Sequence, residues 1–230
     1  NIKGYESLDT VMDRAAQPLT PDAFELLANE SGALMLDTRD ASEFALGFIP
    51  NSINIGLEGN FAQWVGEMIP DVNQQILLIT DADKEEEAIT RLSRVGYDHT
   101  VGYLKGGFST WKDSGKDFET VERISPTVFE NKLKAEKPLV IDVRKKSEYQ
   151  SEHVIGAINV PLNEINQHLA QFPKDEPFIL HCAGGYRSMI ASAILKQRGW
   201  DNFVDVIGGF KEISETGVPR SEYVCPTTLL

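Results

Sequence analysis

The chain is written twice. LMLDTRDASEFALGFIPNSINIGLE, from Leu34, aligns without a gap on LVIDVRKKSEYQSEHVIGAINVPLN, which begins 105 residues later at Leu139. Leu, Asp, Arg, Ser, Glu, Ile, Asn and Leu recur at matching places. The same offset of 105 pairs LTPDAFE, from Leu19, with ISPTVFE, from Ile124. KGGFSTWKDSG, from Lys105, pairs with IGGFKEISETG, from Ile207, at an offset of 102. Order and spacing hold along nearly a whole domain length, so any fold must be built from two copies of one unit.

Within each copy apolar runs alternate with helical patterns. Thr20-Pro21 and Ser125-Pro126 read as an N-cap followed by proline in the first helical turn, where its missing donor costs nothing. A compact strand follows (Ala33 to Leu36; Leu139 to Ile141), then an Asp-x-Arg turn and a polar helix. A short second strand (Ile53 to Ile55; Ile158 to Val160) leads to a further helical stretch. A third strand (Ile76 to Ile79; Phe178 to His181) enters a long helix closed at Val95-Gly96 or Arg198-Gly199. A fourth strand runs into Gly-Gly-Phe. This order predicts an α/β fold in each copy, a parallel sheet with helices on both faces, whose ligands bind at the strand ends. The expected layout is a lead-in over 1–17, a first domain over 18–117, a linker over 118–124, a second domain over 125–217 and a tail over 218–230.

Composition narrows the function classes. A net charge of -13 over 230 residues argues against nucleic acid or an anionic membrane as partner. No apolar run approaches the roughly 18 residues of a membrane span. No signal segment opens the chain, and a cytoplasmic location is expected. Two cysteines do not make a secreted disulfide scaffold, so Cys182 and Cys225 are expected as thiols. The start at Asn1 rather than Met suggests a piece of a longer protein. The four histidines are scattered and no His-x-His-x-Asp-His run occurs, so neither a metal nor another cofactor is expected.

Chemistry concentrates in HCAGGYRS, from His181. Cys182 stands where the third strand of the second copy hands over to its helix. Gly184 and Gly185 allow the loop to curl, which turns successive N–H groups inward and adds them to the donors at the helix start. A free cysteine has a pKa near 8.5, and a helix N-terminus or a nearby cation such as Arg187 lowers it. The plain alternative for Cys182 is a small buried hydrophobe. The glycines, the arginine and the helix favour a nucleophile. Adjacent strand residues point to opposite faces, so His181 is expected to pack away from the cleft rather than act as a base.

CAGGYRS after a strand, IDVR followed by EY and HVIGAINVP, and the late IGGF together resemble the rhodanese (sulfurtransferase) family, over both copies. The resemblance implies tandem rhodanese-like domains and a ping-pong transfer of sulfane sulfur. Cys182 would carry it as a persulfide. The amides of Ala183, Gly184, Gly185, Tyr186, Arg187 and Ser188 would form the cradle, with Arg187 closing it. Implied partners are a small sulfur-donor anion or low-molecular-weight persulfide and a thiol or cyanide acceptor. Glu152 before His153 departs from the family's usual glycine. With LSRVGYD, the layout also resembles the C-terminal half of bacterial proteins joining a metallo-β-lactamase-type hydrolase to rhodanese domains, so a fused or associated hydrolase is a possible partner.

The first copy places Thr80 or Ile79 where Cys182 stands, with Asp81, Asp83, Glu85, Glu86 and Glu87 around the loop. Such acids suit a helix start but repel an anionic donor, and this copy is expected to be catalytically silent. Because it keeps Asp37 and Arg39, the matching Asp142 and Arg144 are read as a fold brace. Phe61, Trp64 and Met68 are read as local core rather than a docking face, His99 and His168 as surface residues, and Cys225 as a bystander rather than a resolving thiol. Two other functions stay open: a cysteine phosphatase or arsenate reductase, disfavoured because related phosphatases place five residues between Cys and Arg and this loop has four, and a non-catalytic docking or regulatory module of a larger hydrolase.

Overall fold

The computed structural model describes residues 8–225. The start of the lead-in and the end of the tail, 226–230, lie outside the described residues. Two compact units follow the duplication, 1–120 and 121–230.

In the first unit the order is α1 (Leu8–Ala15), β1 (Pro18–Leu19), α2 (Pro21–Ser31), β2 (Leu34–Asp37), α3 (Ala41–Leu46), β3 (Ile53–Asn54), α4 (Phe61–Met68), β4 (Ile76–Ile79), α5 (Glu85–Ser93), β5 (Thr100–Leu104) and α6 (Gly107–Asp113). From β1 onward the second unit repeats it, with no counterpart of α1 before β6 among the described residues: β6 (Arg123–Ile124), α7 (Pro126–Glu136), β7 (Leu139–Asp142), α8 (Lys146–Ser151), β8 (Ile158–Asn159), β9 (Phe178–His181), α9 (Tyr186–Gln197), β10 (Phe203–Val206) and α10 (Gly209–Ile213). Where the first unit has α4, the second has two 3-10 turns, Leu162–Gln167 and Leu169–Gln171. The two sheets share one topology, β1-β5-β4-β2-β3 and β6-β10-β9-β7-β8, and the paired strands within them run parallel. Parallel neighbours require crossover connections, which the helices supply. Every residue of the central strands β4 and β9 is buried, the mark of a sheet covered on both faces.

The local signals explain the elements. The Thr20 and Ser125 hydroxyls each accept a hydrogen bond from the amide three residues on, at 3.3 Å, with proline opening α2 and α7. Below them Phe24 and Phe129 are fully buried, each in its own unit's core. Of the stripe read as core, Phe61 and Trp64 are buried and Met68 is half-buried. The edge strands β1 and β6 lie before these caps and are not legible as strands in the sequence. Arg123 and Ile124, within the span read as a linker, pair with Asp205 and Val206 as the edge of the second sheet. At the other end the chain stays bound beyond residue 217, since the Ile155 amide donates to the Pro219 carbonyl and the Val224 amide to that of Ser151.

Candidate active site

The loop after β9 is held from below. The Phe210 amide donates to the Cys182 carbonyl at 2.7 Å and the Lys211 amide to that of Ala183 at 3.0 Å, so the start of α10 sits under the loop. The Gly-Gly pair makes this approach possible. A β-carbon on Gly209 would strike the Cys182 carbonyl oxygen and stand 2.9 Å from the Ala183 carbonyl carbon and the Gly184 nitrogen, and its φ of +56° excludes most side chains anyway.

Inside the loop the Gly185 amide donates to the Cys182 sulfur at 3.1 Å. Cys182 is 1% exposed, at the bottom of a cup rather than on a rim. Ala183 and Gly184 form the outer lip, Gly185 turns inward, and Tyr186 and Arg187 are half-buried where α9 begins. The Ser188 hydroxyl, fully buried, donates to the Gly185 carbonyl at 3.2 Å, and the Met189 amide donates to the same carbonyl at 3.1 Å as the first helical bond. Amides before that bond have no helical carbonyl one turn back, which makes the cup a place for negative charge.

Arg187 is committed to a partner that the sequence reading missed. Its guanidinium forms a two-pronged pair with Glu148 of α8, at 2.5 and 2.8 Å. Burial pushes the Glu148 carboxyl up, but the hydrogen bond and charge of Arg187 outweigh it and hold the group below its ordinary value. Arg187 therefore clamps α8 to the start of α9 rather than standing as a lone cation beside the thiol.

His181 packs away from the cleft, as strand alternation requires. Its ring is fully buried, and Nδ1 lies 3.2 Å from the Cys182 carbonyl, which can only accept, so Nδ1 carries the proton. Nε2 has no hydrogen-bond partner among the described residues and stands 3.9 Å from Asp142. Burial lowers its pKa against the pull of Asp142, which leaves it neutral at physiological pH.

The Asp-x-Arg turns are the brace. Asp142 and Arg144 meet at 2.6 Å with both side chains buried, and Arg144 also donates to the Glu152 carbonyl at 2.8 Å and lies 3.8 Å over the Phe210 ring. Asp37, Arg39, the Gly47 carbonyl and Phe108 repeat this arrangement in the first unit. The departure at Glu152 is thereby explained. Its φ of -163° is extended backbone that a side chain accepts, and its carboxylate pairs with Arg220 at 2.6 Å, whereas a β-carbon on Gly47, at φ 171°, would stand 2.7 Å from the Phe108 ring. The motif histidine, His153, stacks on Tyr149 at 3.9 Å, where Phe48 stacks on Phe44 in the first unit.

The structure also decides which residue stands for Cys182 in the first unit. The Thr38 amide donates to the Ile79 carbonyl as the Val143 amide does to that of His181, and a β-carbon on Gly107 would strike the Thr80 carbonyl at 2.6 Å. Thr80 is the counterpart. Its loop keeps the path of the cup, with Asp83 at φ +64° where Gly185 stands, but it carries no thiol. Beside it lies a cavity of about 410 Å³ lined by Arg39, Glu43, Thr80, Asp81, Gly107 and Phe108. His99 and His168 are part-exposed, Cys225 is exposed, and no His/Cys/Asp/Glu group suited to a metal occurs among the described residues. No described helix is long and apolar enough to cross a membrane.

Comparison with known proteins agrees with this anatomy. The family model described as Rhodanese-like domain matches residues 20–114 and again 125–216. Among curated relatives, YqhL of Bacillus subtilis is 33% identical over 93 residues, 40% of this chain and 74% of that protein. Thiosulfate sulfurtransferase PspE of Escherichia coli is 40% identical over 76 residues, 32% of this chain and 72% of that protein. Of solved structures, a rhodanese-related protein of Thermoplasma volcanium is 31% identical, covers 44% of this chain and 97% of its own, and has a TM-score of 0.40. With the family model matched twice, once in each unit, the chain belongs to the rhodanese family as a tandem of two rhodanese-like domains.

Proposed function

We propose that the chain is a sulfurtransferase whose second domain carries sulfane sulfur on Cys182 and whose first domain is silent. The observation that carries this reading is the sulfur of Cys182 lying 3.1 Å from the Gly185 amide in a loop of four residues between Cys182 and Arg187. A terminal persulfide sulfur is small and anionic, and the inward amides suit it. In the loading step the Cys182 thiolate attacks the outer sulfur of thiosulfate or of a low-molecular-weight persulfide. The donor's S–S bond breaks and its electron pair leaves on sulfite or on the donor thiolate. Loading from thiosulfate leaves Cys182–S–S⁻, which takes a proton from solvent before unloading, when an acceptor thiolate attacks the outer sulfur of Cys182–S–SH. The proton stays on that sulfur, and the electron pair of the bond returns to Cys182. Both steps need only the thiolate and the cup, so no cofactor enters.

In the first domain Thr80 offers a hydroxyl where the second has a thiol, and acids occupy the loop. A hydroxyl bound to sulfane sulfur is not a workable carrier, and the negative loop disfavours an anionic donor. A cytoplasmic setting, where thiol acceptors are abundant, and an associated hydrolase that releases or consumes a persulfide fit the same chemistry.

The test is the intact mass of the reduced protein before and after thiosulfate or glutathione persulfide. Wild type is expected to gain one sulfur, lost again to cyanide or a thiol, while Cys182→Ala gains none. Uptake by Cys182→Ala, or none by wild type with either donor, would sink the reading.

A further inference from the structure

One ion pair distinguishes the two copies as cleanly as the cysteine does. Arg123 of β6 and Asp205 of β10 are register partners across the sheet edge, and Arg123 Nε meets the Asp205 carboxylate at 3.0 Å. The carboxylate is fully buried and the arginine side chain is 13% exposed. In the first domain the same register pairs Pro18 with Tyr103, so neither charge is present. The Asp-x-Arg brace, by contrast, is kept in both domains. A pair needed only to hold the fold would have no reason to follow the thiol.

Its position supplies a reason. A β-carbon on Gly185 would stand 3.3 Å from Arg123 Nη2, so the guanidinium packs directly against the residue whose amide touches the Cys182 sulfur. Gly185 holds φ at +102°, a conformation it would leave readily without support. Ser188 secures its carbonyl side from α9, and Arg123 backs it from β6. Resting on the sulfurtransferase reading, we propose that Arg123, anchored by Asp205, is a positioning residue that holds the Gly185 amide on the Cys182 sulfur and so sets the rate of sulfur loading.

The chemistry of Asp205 gives the idea a pH signature. Burial pushes its carboxyl up to about 6, against the opposing pull of the Ser188 hydroxyl and of Arg123. The groups acting on it are Arg123 from β6, Ser188 from α9 and the Val206 amide of its own strand. The pair is therefore ionic above about pH 6 and loses its charge below.

The experiment uses the full chain and follows the rate of persulfide formation with thiosulfate from pH 5 to 8, alongside the rate of Cys182 alkylation by iodoacetamide. Wild type is expected to show an inflection near pH 6 in both. Asp205→Asn, which keeps shape and removes the titration, is expected to lose that inflection and to load about tenfold more slowly at pH 7.5, the effect of losing about one hydrogen bond to a charged sulfur. Arg123→Met/Asp205→Leu, which leaves no buried charge alone, should load as slowly as Asp205→Asn, and Arg123→Lys should recover most of the rate. Folded Asp205→Asn or double variant that loads and alkylates within twofold of wild type at every pH overturns the proposal. Should wild type take up no sulfur at all, the functional reading falls first, and alkylation alone then decides whether the pair governs the thiol.

Discussion

Gly185 joins three constraints that rarely meet in one residue. It sits at φ +102°, its amide reaches the Cys182 sulfur, and its Cα faces the Arg123 guanidinium. Asp83 tolerates the corresponding place at φ +64° in the first domain, because a short polar side chain accepts the left-handed region and Thr80 and Pro18 stand where the second domain has Cys182 and Arg123. Gly185→Ala is therefore expected to destabilise the second domain by about 1–3 kcal/mol in a urea titration, and to slow persulfide formation by more than that loss of folded protein explains. An unchanged loading rate would show that the loop finds its shape without glycine. The sequence exposed Cys182, both glycines and Arg187, since all lie in one short run. It hid Glu148 and the Arg123–Asp205 pair, whose partners are 39 and 82 residues apart. A comparison of the copies held the clue: Glu43 and Glu148 match, but Arg187 has Glu85 as its counterpart, so only the second domain has opposite signs to bring together.

At the scale of elements, that difference fixes how α8 meets α9. The duplication and the central strands were legible because long apolar runs recur with their turns, and β4 and β9 fall where the apolar pattern puts them. The edge strands β1 and β6 were not, because two residues carry no periodicity and their pairing depends on β5 and β10 far along the chain. The stretch between β8 and β9 reads as helical but forms 3-10 turns where the first unit has the α-helix α4. Between α8 and α9 the Glu148–Arg187 clamp is the charged contact. Because Arg187 holds the Glu148 carboxyl below its ordinary value, the clamp's stabilisation is complete above the unfolded carboxyl pKa of about 4.3 and is lost as pH falls through the lower, folded value. Wild type should therefore exceed Glu148→Gln in stability by a constant margin from pH 7 down to about 5, and the margin should close at lower pH. Denaturant midpoints of the two proteins across this range check it, and a margin that widens in acid would reverse the sign and refute the clamp.

For the whole molecule, duplication means that one architecture is present with and without the thiol, which makes the first domain a control built into the chain. It retains the topology, the brace, the Gly-Gly support beneath the loop and a left-handed residue at the cup, yet it lacks the thiol, the neutral loop, the helix clamp and the edge ion pair. If the thiol alone made the difference, Thr80→Cys in a Cys182→Ala background would take up sulfur. It is expected not to, since Asp81, Asp83 and Glu85 keep the loop negative and Glu85 stands where the second domain has Arg187. Replacing residues 80–86 with Cys-Ala-Gly-Gly-Tyr-Arg-Ser supplies the thiol, the neutral loop and, through Glu85→Arg, a partner for Glu43. That graft should gain one sulfur from thiosulfate, more slowly than the second domain because Pro18 and Tyr103 still stand in place of the edge pair. Adding Tyr103→Asp and Pro18→Arg should then raise the rate. Uptake by Thr80→Cys alone at the wild-type rate would mean that fold and thiol suffice, and that the loop charge, the clamp and the edge pair serve stability rather than sulfur transfer.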